Sequence, residues 1–317
     1  MLETKDVLVS VIMIAYNQKK YIRKAIESVL MQRTDFSFEV LIGDDGSIDG
    51  TSEIVSEYSR KYPEIVKAKI REENIGATRN SYDLLCSARG KYLATCEGDD
   101  YWTDELKLQK QVDFLEKNTQ YVGCVHPIIF VDENNEQLKN SRINWISDKK
   151  IFRLSDFEGY KMPGHVVSMV RVNYMRYPDF DKKFIYTANP LICDRTCALL
   201  WLSRGDFYRL DDTMAAYRII TDGSNTTSKK YKDNDRRFTD DYEYTLVLEN
   251  YAKNTLHVDA GFDKHKRELF AKAVLLAPFR RKSYDNRLPR RILKENGRIL
   301  WYLIGIFVYP IQRVFHR

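Results

Sequence analysis

Residues 7–15 read VLVSVIMIA, and residues 16–32, YNQKKYIRKAIESVLMQ, change character at once. The first run is almost continuously apolar, which suits a strand covered on both faces. In the second, Ile22, Ala25, Ile26, Val29 and Leu30 recur at helical spacing, so an amphipathic helix follows. The unit then repeats. FEVLIG at 38–43 gives a second strand, and DDGSIDGT turns, with Asp49 or Thr51 as cap, into a helix carrying Ile54, Val55 and Tyr58. Residues 66–70 form a third strand. The loop REENIGATRN (71–80) leads into a helix through Tyr82, Leu84, Leu85 and Ala88, and residues 91–96 give a fourth strand. A helix over 105–117 precedes the apolar run 122–131. This alternation, with short connections, predicts an α/β fold whose mostly parallel central sheet carries helices on both faces. Ligands of such sheets bind outside the carboxyl ends of the strands.

Beyond residue 135 the pattern loosens. NNEQLKNSR (134–142) is a polar break, apolar residues regain helical spacing over 192–202, and 221–240 are polar and turn-rich. Residues 242–252 and 264–277 then look helical. The boundaries that result are 1–125 and 126–225, two halves of one α/β domain, and 226–317, a helical C-terminal extension. With 317 residues and 44% apolar content, the chain is long enough to bury a real core.

The net charge of +6 is unevenly placed, because Arg280, Arg281, Lys282, Arg287, Arg290, Arg291, Lys294 and Arg298 crowd near the C-terminus. Beside them runs ILWYLIGIFVYPI (299–311), too short to span a bilayer. Two readings fit: residues 280–317 lie on an anionic membrane surface with Trp301, Tyr302 and Tyr309 at headgroup depth, or a terminal helix packs on protein, with a homo-oligomer interface close behind. Nucleic acid is not the expected partner, since the cations flank an apolar run and are not interleaved with aromatics along the fold. Five cysteines without CxxC spacing suit reduced thiols, and the acidic start MLETKDVLVS does not resemble an export signal. The expected location is cytoplasmic, peripheral at the inner face of the membrane.

Three polar groups gather at the predicted carboxyl ends of strands: Ala15, Tyr16 and Asn17 after the first, Asp44 and Asp45 after the second, and Glu97, Asp99 and Asp100 after the fourth. In a parallel sheet they ring one crevice. Carboxylates crowded together repel unless a cation sits among them. Asp99 and Asp100 are therefore candidates for a hard divalent cation bridging phosphate oxygens, and Asp44 or Asp45 for the base or ribose of a nucleotide. Taken singly, DDGS also reads as a turn and EGDD as a solvated loop. AYNQKKYI stands where a dinucleotide-binding oxidoreductase has its GxGxxG, so that class is set aside.

In this order, VSVIMIAYNQKKYIRKAIESVLMQ, FEVLIGDDGSIDGT, NIGATRN and ARGKYLATCEGDDYW resemble the successive signatures of the family 2 glycosyltransferases with a GT-A fold. The resemblance covers residues 8–120 closely. It implies inverting transfer of a sugar from a nucleotide diphosphate donor to a glycan or lipid-linked acceptor, with Mn2+ or Mg2+, in surface polysaccharide synthesis. It also implies that Ala15, Tyr16 and Asn17 line the nucleotide pocket, that Asp45 lies by the base and ribose, and that Arg79 lies near the donor. Asp99 and Asp100 fall at the metal and donor sugar. Glu97 stands where the family usually has Asp, which leaves open which of Glu97, Asp99 and Asp100 touch the metal.

An inverting transfer needs one base to take the acceptor proton. LICDRTCALLWLSRGDFYRLDDTMAAYR (191–218) resembles the family's second-half layout, with Cys193 in place of the usual Gly. Asp194 is the candidate base, with a helix N-cap as the bland reading and Asp211 and Asp212 as rivals. Tyr217 and Arg218 form the later pair, Arg218 holding diphosphate oxygens or a structural ion pair. His165, in MPGHVVSMV, either contacts the acceptor or is a core or edge histidine. A non-catalytic nucleotide-sugar or glycan binding module on the same fold is the second functional class.

Overall fold

The computed structural model describes residues 6–139, 141, 143–220, 237–276, 288–297 and 302. The chain divides into two compact units, 1–154 with 162–219, and 155–161 with 220–317. Both α/β halves read from the sequence lie in the first unit, apart from 155–161 and 220–225.

Among the described residues, eleven strands build the first unit: β1 (Val7–Ala15), β2 (Ser37–Asp44), β3 (Val66–Ile70), β4 (Tyr92–Thr95), β5 (Tyr101–Trp102), β6 (Tyr121–Val125), β7 (Ile128–Val131), β8 (Ile151–Phe152), β9 (Val170–Val172), β10 (Asp206–Arg209) and β11 (Ala215–Arg218). Eight of them form one sheet in the order β3-β2-β1-β4-β9-β6-β10-β8, and β5-β11-β7 form a small second sheet. The helices are α1 (Ile22–Leu30), α2 (Thr51–Lys61), α3 (Ala77–Ser87), α4 (Lys107–Lys117), α5 (Lys182–Thr187) and α6 (Asp194–Leu202). β1 is central, with Ile12 opposite Leu41 of β2 and Thr95 of β4 in parallel register. That explains its near-continuous apolar run. Val9, Val11 and Met13 share one buried cluster with Ile22, Ile26 and Val29 of α1, Val40 and Ile42 of β2, and Leu108 and Val112 of α4. Each such side chain contributes about 1.5–3 kcal/mol on burial.

The sheet is mixed. β9 runs antiparallel to both β4 and β6, and β8 antiparallel to β10. The apolar run 122–131 does not form one strand: it breaks at His126-Pro127, because proline lacks the N–H that a ladder needs and restricts the residue before it. β6 then joins the large sheet and β7 the small one. The helix expected over 105–117 begins at Lys107.

One buried carboxylate locks the far edge of this core. Glu39 of β2 accepts hydrogen bonds from Ser10 Oγ at 2.7 Å, Arg89 N at 3.0 Å, and Arg89 Nε and Nη2 at 3.0 and 2.7 Å. Burial alone would lift its carboxyl, but these donors outweigh burial and hold it below the usual range. A depressed carboxyl stabilises the fold above its unfolded-state pKa and loses that stabilisation as pH falls through its folded value. Glu39→Gln is expected to cost about 2 kcal/mol in denaturant melts at neutral pH, and the difference from wild type should shrink in acid. A difference unchanged by pH would show that the charge contributes nothing.

The second unit is helical. Its α7 (Arg237–Asn254), α8 (Phe262–Leu276) and α9 (Leu288–Asn296) pack through Tyr242, Leu269, Phe270, Leu288 and Ile292, with Tyr302. The loop read over 221–240 and the tail over 280–317 fall largely outside the described residues. Among the described residues, no helix is long and apolar enough to cross a membrane.

Candidate active site

The loops leaving β1 and β2 are cross-tied. Asn17 adopts a left-handed φ of 53°; its N–H donates to Ser47 Oγ at 2.9 Å and its Oδ1 accepts from Ile48 N at 3.0 Å. Gln18 N donates to Thr51 Oγ1 and Lys19 N to Asp49 Oδ2, each at 2.9 Å. DDGSIDGT is thus a docking surface for AYNQK as well as a turn. Asp44 is wholly buried, and its two oxygens accept the hydroxyls of Ser47 and Ser52. Asp45 accepts from the backbone of Ile75 at 2.9 Å and Gly76 at 3.0 Å, which holds the NIGA turn against β2. Ala15 is buried and Tyr16 is 40% exposed beside it.

Arg79 stands on the exposed face of α3. It pairs with Asp83 at 3.3 Å and rests against the rings of Tyr82 and Tyr186. The cation beside Asp45 is Arg71, with Nε 3.9 Å away and Nη2 3.0 Å from Asp83. The sequence offers no sign of it, because the loop holding Arg71 has no periodicity.

EGDD follows β4 as a tight turn in which Asp100 N donates to Glu97 O at 3.0 Å. Gly98 passes so close to the β1 loop that an added Cβ would lie 2.3 Å from Gln18 Oε1 and 2.9 Å from Ile22 Cδ1. Asp100 is 1% exposed. Its Oδ1 accepts from Arg218 N at 2.9 Å, while Oδ2 has no hydrogen-bond partner and lies 3.7 Å from Nδ1 of buried His165. Arg218 braces this turn: Nε donates to Asp99 O at 2.8 Å, Nη1 to Asp132 O at 2.7 Å and Nη2 to Asn135 Oδ1 at 2.9 Å. Its guanidinium lies 4.4 Å from the Tyr21 ring centre. The Arg218 contacts are backbone carbonyls and an amide, so its structural task is to fix EGDD against β11.

His165 precedes a short 3-10 turn, and its Nδ1 accepts from Val167 N at 3.4 Å. That nitrogen therefore presents a lone pair, and burial pushes the imidazole down to about 3, keeping it neutral. Tyr217 packs on it with ring centres 4.1 Å apart. One ligand atom each from Glu97, Asp100 and His165 lies within 4.8 Å of the others. Asp100 Oδ2 and His165 Nδ1 thus face each other 3.7 Å apart, with the Nδ1 lone pair also turned toward Val167 N. Two carboxylates plus one imidazole suit a first-row divalent cation such as Mn2+ better than Mg2+, which prefers oxygen ligands alone. Burial first, then the neighbouring carboxylates, pushes Glu97 and Asp100 well above the usual carboxylate range. Burial likewise raises Asp99, against the pull of Arg218 and Gln18. His165 as a member of this cluster is visible only in three dimensions.

Asp194 opens α6. Cys193 occupies the N-cap position, so Asp194 is not the cap. Its side chain is exposed, yet the protein crowded around it raises its carboxyl while Arg171 opposes the shift. Its charge contributes to lifting both Glu97 and Tyr217, which places it at the same crevice. Asp211 and Asp212 are elsewhere: Asp211 pairs with Lys150 at 2.6 Å with 92% of its side chain exposed, and Asp212 approaches Lys110 at 3.6 Å.

Residues 10–176 match the profile of Glycosyl transferase family 2. The chain belongs to that family. Among curated glycosyltransferase relatives, the putative teichuronic acid biosynthesis glycosyltransferase TuaG of Bacillus subtilis is 40% identical over 108 residues, 34% of this chain and 42% of TuaG. An uncharacterized Mycobacterium tuberculosis protein is 36% identical over 210 residues, 66% of this chain and 58% of that protein. The chain thus spans less than two thirds of the curated relatives it matches. The crystal structure of Staphylococcus aureus TarS 1–349 in complex with UDP-GlcNAc superposes with a TM-score of 0.65 at 16% identity, over 95% of this chain and 82% of TarS 1–349. The fold is GT-A, a mixed sheet with a mostly parallel core.

Proposed function

We propose that this glycosyltransferase moves a hexosyl unit from a nucleotide diphosphate sugar to a hydroxyl of a glycan or lipid-linked acceptor, with inversion and with a divalent metal, in surface polysaccharide synthesis. The observation that carries it is the unpartnered Oδ2 of Asp100 facing His165 Nδ1 and Glu97 in the crevice that Asp194 also borders. Glu97, Asp100 and His165 would hold the cation, with Asp99 at the donor. Asp45 would lie by the base and ribose, its two oxygens holding the backbone of the NIGA turn, while those of Asp44 hold Ser47 and Ser52.

When bound, the cation neutralises charge developing on the departing diphosphate. Asp194 takes the acceptor's proton as that oxygen attacks the anomeric carbon, and the bond to the diphosphate breaks on the opposite face. Tyr217 and His165 wall the site and exclude water. The names of TuaG and of the B. subtilis minor teichoic acid biosynthesis protein GgaA, 32% identical over 152 residues, support a cell-surface polymer as the product. Titration calorimetry with UDP, GDP and dTDP tests the reading: binding that requires Mn2+ supports it, and absence of binding by all three with Mn2+ present rejects it.

The raised carboxyls give a sign to the pH dependence. Protons held on Glu97 and Asp100 must leave before a cation binds, so Mn2+ affinity should rise with pH as these carboxyls ionise, with proton release. Calorimetry in two buffers of unlike ionisation enthalpy reads that release directly; identical heats in both would refute it. We also propose peripheral attachment at the inner membrane face through 280–317, supported by the basic and apolar sequence there. Because Leu288, Ile292 and Tyr302 pack in the helical unit, the test keeps the chain whole: exchanging exposed Arg290 and Lys294 for glutamate should weaken co-flotation with anionic vesicles, and undiminished flotation would count against the tail.

A further inference from the structure

Between the sheet and helices α3 and α6 lies a cavity of about 100 Å3. Ile14, Met162, Val166, Met169 and Ala198 give it apolar walls, and Glu97 and Asp194 border it as well. Asp194 and Ile192 are solvent-exposed, so the cavity opens on their side. Among the polar side chains of the lining, which also include Ser81 and Thr95, Thr78 of α3 and Arg171 of β9 are 1% and 6% exposed. Among the described residues, neither Thr78 Oγ1 nor Arg171 Nε has a hydrogen-bond partner. The rest of Arg171 is engaged: Nη1 donates to Met169 Sδ at 3.1 Å, and the guanidinium lies 4.6 Å from the Trp201 ring centre.

Buried donors are kept without partners only where something else satisfies them. Apolar walls bounding two lone donors match an amide carbonyl attached to a small alkyl group. The carbonyl would accept from Arg171 Nε and Thr78 Oγ1, and the alkyl group would pack on Val166, Met169 and Ala198. A carboxylate fits less well. Glu97 and Asp194, which border the cavity, would repel it. Ile14, Thr78 and Glu97 belong to the half that carries the nucleotide loops, so the group belongs to the donor. Resting on the transferase reading above, we propose that this cavity is a specificity subsite for an acylamino substituent on the donor sugar, with Thr78 and Arg171 as its polar contacts.

The test compares matched donors by titration calorimetry with Mn2+: UDP-GlcNAc against UDP-glucose, UDP-GalNAc against UDP-galactose, and UDP-glucuronate, with UDP alone as reference. At least one acylamino donor should bind about 10-fold or more tightly than its hydroxyl counterpart. Thr78→Val and Ala198→Leu, the latter filling the cavity, should each pull that ratio toward one. Equal affinities within both pairs, or tightest binding of UDP-glucuronate, overturns the proposal while UDP binding leaves the transferase reading standing. A donor on another base that lacks the acylamino group overturns it in the same way. Failure of UDP, GDP and dTDP alike to bind overturns both.

Discussion

Asp100→Asn is expected to remove the Mn2+ dependence of nucleotide binding and to lower turnover by on the order of 10²–10³-fold. The substitution is informative because so little else changes. Asparagine keeps the Oδ1 that accepts from Arg218 N, so the tie between EGDD and β11 survives. Only Oδ2 is altered, from an unpartnered oxygen to an amide that can donate toward His165 Nδ1. Burial raises all three carboxyls, and Glu97 and Asp100 are raised further by their charged neighbours, so the ionised groups repel one another in the metal-free protein. Removing one charge should relieve that repulsion, so the metal-free variant should melt at the same temperature as wild type or higher. Activity and stability would then move in opposite directions, as expected of a site kept for function at a cost to the fold. Calorimetry with Mn2+ and nucleotide, beside a thermal melt, reads both. Unchanged metal dependence would place the cation elsewhere.

Legibility in the sequence divides at about residue 120. β1, β2 and their helices are readable because a central parallel strand needs an unbroken apolar run, and a covering helix needs its stripe. The crevice is readable for a related reason: carboxylates set directly behind such strands announce a charged partner. The second half resists because its strands are two to five residues long, too short for any period to register. β9 is the sharpest case. Its three residues, Val-Arg-Val, place a guanidinium in the middle of the sheet, where a sequence reading expects an apolar side chain. That arginine is tolerable because Trp201 and Met169 cover it, and Trp201 lies far along the chain in α6. His165 was similarly opaque: a lone histidine becomes a candidate ligand only once β4 and the 3-10 turn bring it 3.7 Å from Asp100.

Asp194→Asn should leave Mn2+ and nucleotide binding within about threefold of wild type while slowing transfer about 10²–10⁴-fold, the range a positioned general base supplies. The separation follows from position. Asp194 starts α6 and contributes no N-cap hydrogen bond, so amidation should not unravel the helix. Its effect on Glu97 is electrostatic, and losing one negative charge makes Glu97 easier to ionise, which if anything favours the cation. The pH profile discriminates further. At saturating Mn2+, wild-type transfer should fall in acid as Asp194, raised by its crowded surroundings, takes up a proton, and the variant should lose that limb. Asp211→Asn is the matched control, since Asp211 is a solvent-facing partner of Lys150 and its amidation should leave the rate as it was. If Asp211→Asn proves the damaging change, the base has been misassigned. Should wild type bind donors yet never hydrolyse or transfer the sugar from any of them, Asp194 has no base to be, and the crevice serves recognition alone.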